Sequence, residues 1–197
     1  FDLPLVGVVA TLLCVGLVMV TSASMSLAEH DFGGPLYFLQ KQLGAIAFGL
    51  AGAWVMVKVP TAAWERAGPV LVVLAFALLC AVLVPGLGRT ANGSTRWLRF
   101  AGMNLIQVSE PARLLFLMYV CGYAVRRADA LRSTFQGFVR PLMLAGAACV
   151  LLLAQPDFGA CLMLMAIALG VLFIAGARLR DFVGSLGLVI LLGALVA

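Results

Sequence analysis

Four ionisable side chains occur where the surrounding sequence is apolar: Lys41, Glu110, Arg113 and Asp157. Glu110 and Arg113 lie three apart in QVSEPARLL, residues 107–115, at the head of a long apolar run. On a helix that spacing puts both on one face, where they can pair. Pro111 suits a first helical turn, because its missing N–H has no intrahelical role there. Ser109 or Glu110 can cap that turn. A helix that opens this way points free N–H groups, a positive dipole end and a guanidinium in one direction, an arrangement that can hold an anion such as a phosphate. The same residues also read as a capped helix whose ion pair fastens a bundle.

QPDFG, residues 155–159, is the second candidate. Pro156 breaks a helix, Gly159 permits a tight turn, and Asp157 can cap the helix that follows. Counted from Pro141, the preceding run has fifteen residues to the turn, about 22 Å at 1.5 Å per residue. That is short of roughly 30 Å of hydrocarbon. The expectation is a turn sunk below the membrane surface with Asp157 near Arg113; plain helix capping is the other reading. The third candidate is RTANGSTRWLRFAGMN, residues 89–104. Asn92-Gly93 marks a turn, and Arg96, Trp97 and Arg99 follow in the pattern of an interfacial segment, with an aromatic at headgroup depth and cations near lipid phosphate. Asn92-Gly93-Ser94 also spells a glycosylation acceptor, a common match. His30 is the sole histidine and lies between Glu29 and Asp31; the expectation is a solvated loop. Trp64-Glu65-Arg66 reads as an interfacial turn. No metal-ligand spacing, phosphate-binding glycine loop or nucleophile elbow occurs.

The elements that position these residues follow from composition. Of 197 residues, 64% are hydrophobic and 11% charged, whereas a soluble domain is nearer half apolar and a quarter charged. Too little polar surface exists to coat a globule, so the solvent is a bilayer. A charge near its centre costs at least about 2.5 kcal/mol, so the four buried-sequence charges must face protein or water. Hydropathy predicts spans near 3–25, 37–57, 68–87, 107–125, 138–155, 159–177 and 182–197. The expected fold is all-α, a polytopic transmembrane helix bundle of about seven spans forming one domain over 1–197. Residues 3–25 read as a retained span, not a signal peptide: no basic residue precedes them, and the run exceeds the usual core of about 7–15 residues. The chain opens on Phe1 without Met, so a native start upstream is expected, and the last span runs off the end. No internal repeat is visible. Cys14, Cys80, Cys121, Cys149 and Cys161 all lie in apolar runs without a C-x-x-C pair and read as small packing residues.

The net charge of +5 would point a soluble protein toward nucleic acid; here it orients the spans. Loops 58–67, 126–137 and 178–181, with the nearby helix start, hold Lys58, Arg66, Arg126, Arg127, Arg132, Arg140, Arg178 and Arg180; the opposite loops hold Arg89, Arg96 and Arg99. Eight against three places the first set in the cytoplasm. The N-terminus is then cytoplasmic, and QVSEPARLL opens a span from the outer face.

NGSTRWL, QVSEPARL and LLLAQPDFGA, in that order, resemble the signatures of the SEDS family of bacterial membrane proteins. Those read N-G-[SA]-x-R-W-[IL], Q-P-[SA]-E-x-x-K and Q-P-D-[LF]-G-[TA]. QGFVRP, ahead of the last motif, is more like the cell-division branch than the elongation branch. Val108 stands where the family has proline, and Pro111 follows three positions later. Arg113 stands in place of lysine, offering a planar fork that grips a carboxylate or pyrophosphate bidentately. The resemblance covers essentially the whole chain.

This resemblance implies the front part of a fold of about ten spans and a peptidoglycan glycosyltransferase that polymerises lipid II. The site of action is the outer face of the inner membrane at the division septum. Implied partners are undecaprenyl-pyrophosphate-linked glycan, the class B penicillin-binding transpeptidase FtsI, and the regulators FtsQ, FtsL and FtsB. A divalent cation is compatible with the family, although no ligand set stands out. The family's catalytic aspartate belongs to an outer loop after the seventh span, beyond residue 197, so no catalytic residue is expected within this chain. Arg113, Arg96 and Lys41 are the candidates for electrostatic support of a pyrophosphate, and Glu110 and Asp157 for orienting Arg113 and shaping the cavity. Two competing classes are a transporter that flips lipid II and a non-catalytic scaffold of the division machinery. Intramembrane charge and a broken span fit a transporter, but the charges gather at the outer ends of the spans, which favours the enzyme.

Overall fold

The computed structural model describes residues 2–32, 34, 36–84, 87–91, 94–100, 103–185 and 187. The chain divides into two compact units, Phe1–Val59 and Pro60–Ala197.

The first unit is a helix pair, α1 (Leu3–Phe32) and α2 (Tyr37–Lys58), packed on each other. α2 buries none of its described residues. An exposed apolar surface of this kind suits lipid. The hydroxyls of α1 agree: Thr11, Thr21 and Ser24 donate to the carbonyls of Gly7, Leu17 and Val20, at 2.8, 2.7 and 2.6 Å. Each polar group is satisfied within its own helix, as an apolar solvent requires. α1 runs seven residues past the expected end at residue 25. Glu29, His30 and Asp31 therefore ride on its last turns instead of a loop.

The second unit holds α3 (Thr61–Ala81), the strands β1 (Gly88–Ala91), β2 (Ser94–Phe100) and β3 (Met103–Gln107), then α4 (Ser109–Arg126), α5 (Ala128–Ser133), α6 (Phe135–Ala154) and α7 (Phe158–Ile174). Residues 179–185 are helical again. Its core gathers Leu79, Val82, Val108, Phe116, Val120, Phe138, Leu152 and Leu172, with Ala75, Ala112, Ala145, Ala148 and Ala168 at the closest approaches. Small residues let helices approach without a hydrophobic driving force, which lipid does not supply.

Several boundaries differ from hydropathy. α3 starts seven residues before the expected 68, so Trp64, Glu65 and Arg66 lie in its first turns and only Val59 and Pro60 separate it from α2. The loop expected at 126–137 folds into α5. α6 starts at Phe135, capped by Thr134, whose hydroxyl accepts from the Gly137 N–H at 3.3 Å. Pro141 therefore sits inside the helix. With 20 residues, about 30 Å at 1.5 Å per residue, α6 spans the hydrocarbon, and shortness no longer places the following turn below the surface. The segment expected to lie at the interface forms an antiparallel sheet, ordered β1-β2-β3, with Ala91 opposite Ser94 and Trp97 opposite both Arg89 and Gln107. Asn92 and Gly93 lie outside the described residues. So does most of the seventh expected span, of which 182–185 and 187 are described.

By length and composition, three described helices can cross a membrane: Leu3–Met25 of α1, Thr61–Ala81 and Phe135–Ala154. α7 is apolar but shorter, at 17 residues. α2 carries Gln40, Lys41 and Gln42 in its first turns, and α4 carries Glu110, Arg113 and Arg126. The architecture is an all-α membrane helix bundle with one small three-stranded sheet.

Gly137 has no room for a side chain: a Cβ there would overlap the Ala130 carbonyl of α5, while the Gly137 carbonyl accepts the Tyr123 hydroxyl at 2.8 Å. Gly137→Ala is expected to destabilise the protein by about 1–3 kcal/mol through overpacking, read as a lowered thermal unfolding midpoint; an unchanged midpoint would show that α5 yields freely.

Candidate functional site

β3 delivers the chain directly into α4. Val108 is the N-cap residue and is fully buried, and no side chain caps the helix. The expected cap by Ser109 or Glu110 is thus replaced. The buried Val108 anchors the turn in the core, and the Ser109 hydroxyl, itself buried, accepts from Gln107 Nε2 at 3.1 Å. Pro111 occupies the first turn, where its missing N–H is harmless.

Glu110 and Arg113 form an ion pair across one turn. Their side chains are 59% and 16% exposed, so the carboxylate stands at the rim while the guanidinium is tucked into the bundle. Arg113 Nη1 donates to Met163 Sδ of α7 at 2.9 Å. A thioether is a weak acceptor, so this side of the guanidinium is held softly. Arg113 and Ser109 are the polar members of a cleft between α3, α4, α6 and α7 whose other walls are Ala75, Phe76, Leu79, Ala112, Phe116, Ala148, Leu152, Ala160 and Leu164. The open space it leaves is only about 10 Å³, on the scale of a single water molecule, so the helices close it almost completely. What the seam offers a ligand is at its rim, where an apolar edge adjoins a cation.

The Gln155–Asp157 turn joins α6 to α7, whose Leu152 and Ala160 line the cleft. Asp157 is the N-cap residue of α7, its Oδ1 accepting from the Ala160 N–H at 3.1 Å, and it is buried. Gly159 lies inside α7, not in the turn. Gln155 is wholly buried, and its Nε2 donates to the Leu79 carbonyl in the last turn of α3 at 2.9 Å. It satisfies a carbonyl that the helix end leaves open and ties the turn to α3. Its Oε1 has no hydrogen-bond partner.

The structure therefore gathers Glu110 and Arg113 at the cleft rim and sets Asp157 at the head of α7, whose Ala160 lines the same cleft. Lys41 belongs to the first unit, with Nζ 4.5 Å from the centre of the Tyr37 ring. Arg96 lies in β2, and its side chain lies outside the described part of the structure. Met163 and Gln155 were not singled out from sequence. Gln155 carried a usable signal, since a buried amide at the end of an apolar run must find a carbonyl. Met163 carried none, because its partner lies fifty residues away. Among the described residues no cluster of three His, Cys, Asp or Glu could hold a metal.

Asp157→Ala removes a cap and is expected to cost about 1 kcal/mol of stability, whereas Asp157→Asn retains most of it. Chemical or thermal unfolding of the two variants checks this; equal losses would assign the effect to the carboxylate charge instead.

A family model described as a cell cycle protein, FTSW_RODA_SPOVE, matches residues 3–197. The chain is 52% identical over 181 residues to a probable peptidoglycan glycosyltransferase FtsW of Thioalkalivibrio sp. (strain K90mix), covering 92% of this chain and 45% of that relative. It is 49% identical to the protein of the same name from Thioalkalivibrio sulfidiphilus (strain HL-EbGR7), over 95% of this chain and 47% of the relative. Among solved structures, the rod shape determining protein RodA of Thermus thermophilus resembles it with a TM-score of 0.66 at 26% identity, covering 90% of this chain and 58% of that one. The chain spans about half the length of the curated relatives it matches.

Proposed function

Because the chain belongs to the cell cycle protein family of FtsW, RodA and SpoVE, we propose that this multi-pass membrane protein forms part of a glycosyltransferase that polymerises lipid II into glycan strands. The site of action is the outer face of the bacterial inner membrane during septal wall synthesis, with the N-terminus cytoplasmic. One observation carries the reading: a guanidinium held by a carboxylate at the rim of an apolar cleft, at the end of the bundle that charge asymmetry assigns to the outer face. The names of the FtsW relatives support it.

The reaction is displacement at the anomeric carbon of the growing chain by the 4-hydroxyl of the acceptor. A general base takes the hydroxyl proton, and the undecaprenyl pyrophosphate leaving group carries away negative charge that a fixed cation stabilises. Inversion at an α-linked pyrophosphate gives a β-linked glycan. Arg113 is the cation in this scheme, because its planar fork fits a pyrophosphate and its bond to Met163 is weak enough to exchange. Glu110 orients it. Arg96 and Lys41 are further cationic candidates, and Asp157 shapes the cleft wall by fixing the start of α7. The base is assigned outside this chain. The described residues offer no three-ligand cluster for a divalent cation, and within this chain the arginine is the group assigned to the leaving-group charge. FtsI, FtsQ, FtsL and FtsB are the proposed partners.

The test is polymerisation of labelled lipid II by the whole protein with its transpeptidase partner in detergent. Arg113→Ala, folded and assembled, is expected to lower the rate about 100-fold, the scale of losing one charge-stabilising donor. Arg113→Lys should retain part of the rate, and Glu110→Ala should lose less than Arg113→Ala. Normal polymer from both alanine variants would reduce QVSEPARLL to a helix-fastening pair. No polymer from wild type under working controls would turn the reading toward a lipid transporter or a scaffold.

A further inference from the structure

Two arginines are locked together at the end of α7 opposite Asp157. Ala175 is the C-cap of α7, and Arg132 of α5 donates from Nε to its carbonyl at 3.4 Å. Arg178 in turn donates from Nε to the Arg132 carbonyl at 3.0 Å. Each guanidinium is therefore fixed through Nε, which leaves its Nη hydrogens as an outward fork. Gly176 makes room for this: it is left-handed at φ 86°, and a Cβ on it would come within 3.2 Å of Arg132 Nε. Among the described residues neither Arg132 nor Arg178 has an ion pair. Segments 126–134 and 175–182 hold five arginines against two aspartates, and Asp181, one of the two, is buried and paired with Arg180. Ile174 and Leu179 beside the pair are exposed and apolar.

We propose that Arg132 and Arg178 form a binding site for the phosphodiester head of an anionic membrane phospholipid. A phosphodiester presents two unesterified oxygens, and guanidinium forks grip such oxygens bidentately. Two like charges fastened to one helix end gain from an anion that meets both. The Nε bonds already restrict the side chains, so less freedom is lost when the head binds. A lipid fits better than an acidic protein segment, because the pair lies at the end of an apolar helix and exposed Ile174 and Leu179 offer its acyl chains a surface to follow. Charge asymmetry assigns this end to the cytoplasmic leaflet, whose anionic lipids attract basic residues; the leaflet follows from the orientation proposed above, and the site itself does not depend on it. A bound head ties α5 to the end of α7 through contacts that the arginines' own backbone bonds leave open.

The experiment strips the whole protein of lipid in detergent and titrates it with dioleoylphosphatidylglycerol or dioleoylphosphatidylcholine. Bound lipid is counted by native mass spectrometry, and thermal unfolding is followed alongside. Phosphatidylglycerol is expected to bind more tightly and to raise the unfolding midpoint further. Arg132→Gln and Arg178→Gln should each weaken it about fivefold, and together about 30-fold, with phosphatidylcholine unaffected. Arg140→Gln removes the same charge from the same end of the bundle and should stay within about twofold of wild type, because an exposed charge away from the head is screened. The Nε bonds also finish helix ends, so each variant is first compared with wild type in phosphatidylcholine alone; where the double glutamine variant does not fold, the double lysine variant replaces it and should still lose about fivefold, for want of the fork. Equal affinity for the two lipids, phosphatidylglycerol binding that survives both substitutions, or equal weakening by Arg140→Gln would each overturn the proposal. So would equal protection by inorganic phosphate, which would make this a free-phosphate site, or by hexaglutamate, which would make it a dock for an acidic protein segment.

Discussion

In hydrocarbon no water is available to satisfy a polar group, so each one must find a partner inside the protein, and the bundle is organised around that constraint. The hydroxyls of α1 turn back on their own carbonyls. Where helices end, side chains take over. Gln155 reaches the Leu79 carbonyl. Inside α3, Pro69 has no N–H for the Glu65 carbonyl, and Arg126 donates to it instead, its guanidinium lying where a Cβ on Gly68 or Gly122 would come within 2.9 or 3.1 Å, so both glycines keep that space open. At the end of α7, Gly176 turns left-handed at φ 86°, its N–H donating to the Phe173 carbonyl and the Ala177 N–H to the Leu172 carbonyl. Arg132 meets the Ala175 carbonyl there, and Arg178 meets the Arg132 carbonyl. Cations at helix C-termini also oppose the helix dipole. The arginines that mark one side of the membrane by number thus also finish its helices.

The candidate site departs from that rule in degree. Arg113 has a full ionic partner in Glu110 and only a thioether on its other side, while Gln155 keeps one buried oxygen without a hydrogen-bond partner. Both lie around the same four-helix confluence. Elsewhere in the unit, buried positions are mostly apolar, with Asp181 an exception whose Oδ2 also has no hydrogen-bond partner. Incomplete satisfaction beside the apolar cleft leaves free energy available to a ligand, because an incoming oxygen or hydroxyl gains more from an under-used donor or acceptor than from a saturated one. The cleft rim adds apolar burial for whatever chain accompanies that group.

Much of this was legible from sequence, for identifiable reasons. Composition alone demands a bilayer, and three-residue spacing alone puts Glu110 and Arg113 on one face, because both follow from helix geometry and solvent. Motif order carried the family. Boundaries were less legible. Pro141 reads as a helix start but lies inside α6, because Thr134 supplies the cap seven residues earlier and α5 packs against Gly137. Arg96, Trp97 and Arg99 have the types of an interfacial loop, yet hairpin pairing with neighbours three to ten residues away makes the segment a sheet. Ser109 has the type of a cap, but burial of Val108 sets the turn and leaves its hydroxyl to Gln107.

What the sequence determined by itself is the solvent, the helical class, the family and the local Glu110–Arg113 pair. Each depends on residue type and on separations of a few positions, which a helix converts directly into geometry. What only the tertiary structure decided is which distant groups meet: Arg113 with Met163, Gln155 with Leu79, and Cys149 with Cys161. Those meetings depend on how α3, α4, α6 and α7 are rotated and set against one another. Lipid gives no hydrophobic reward for one rotation over another, so the choice is made by close packing and by the need to satisfy every polar group, neither of which is written in a stretch of chain taken alone.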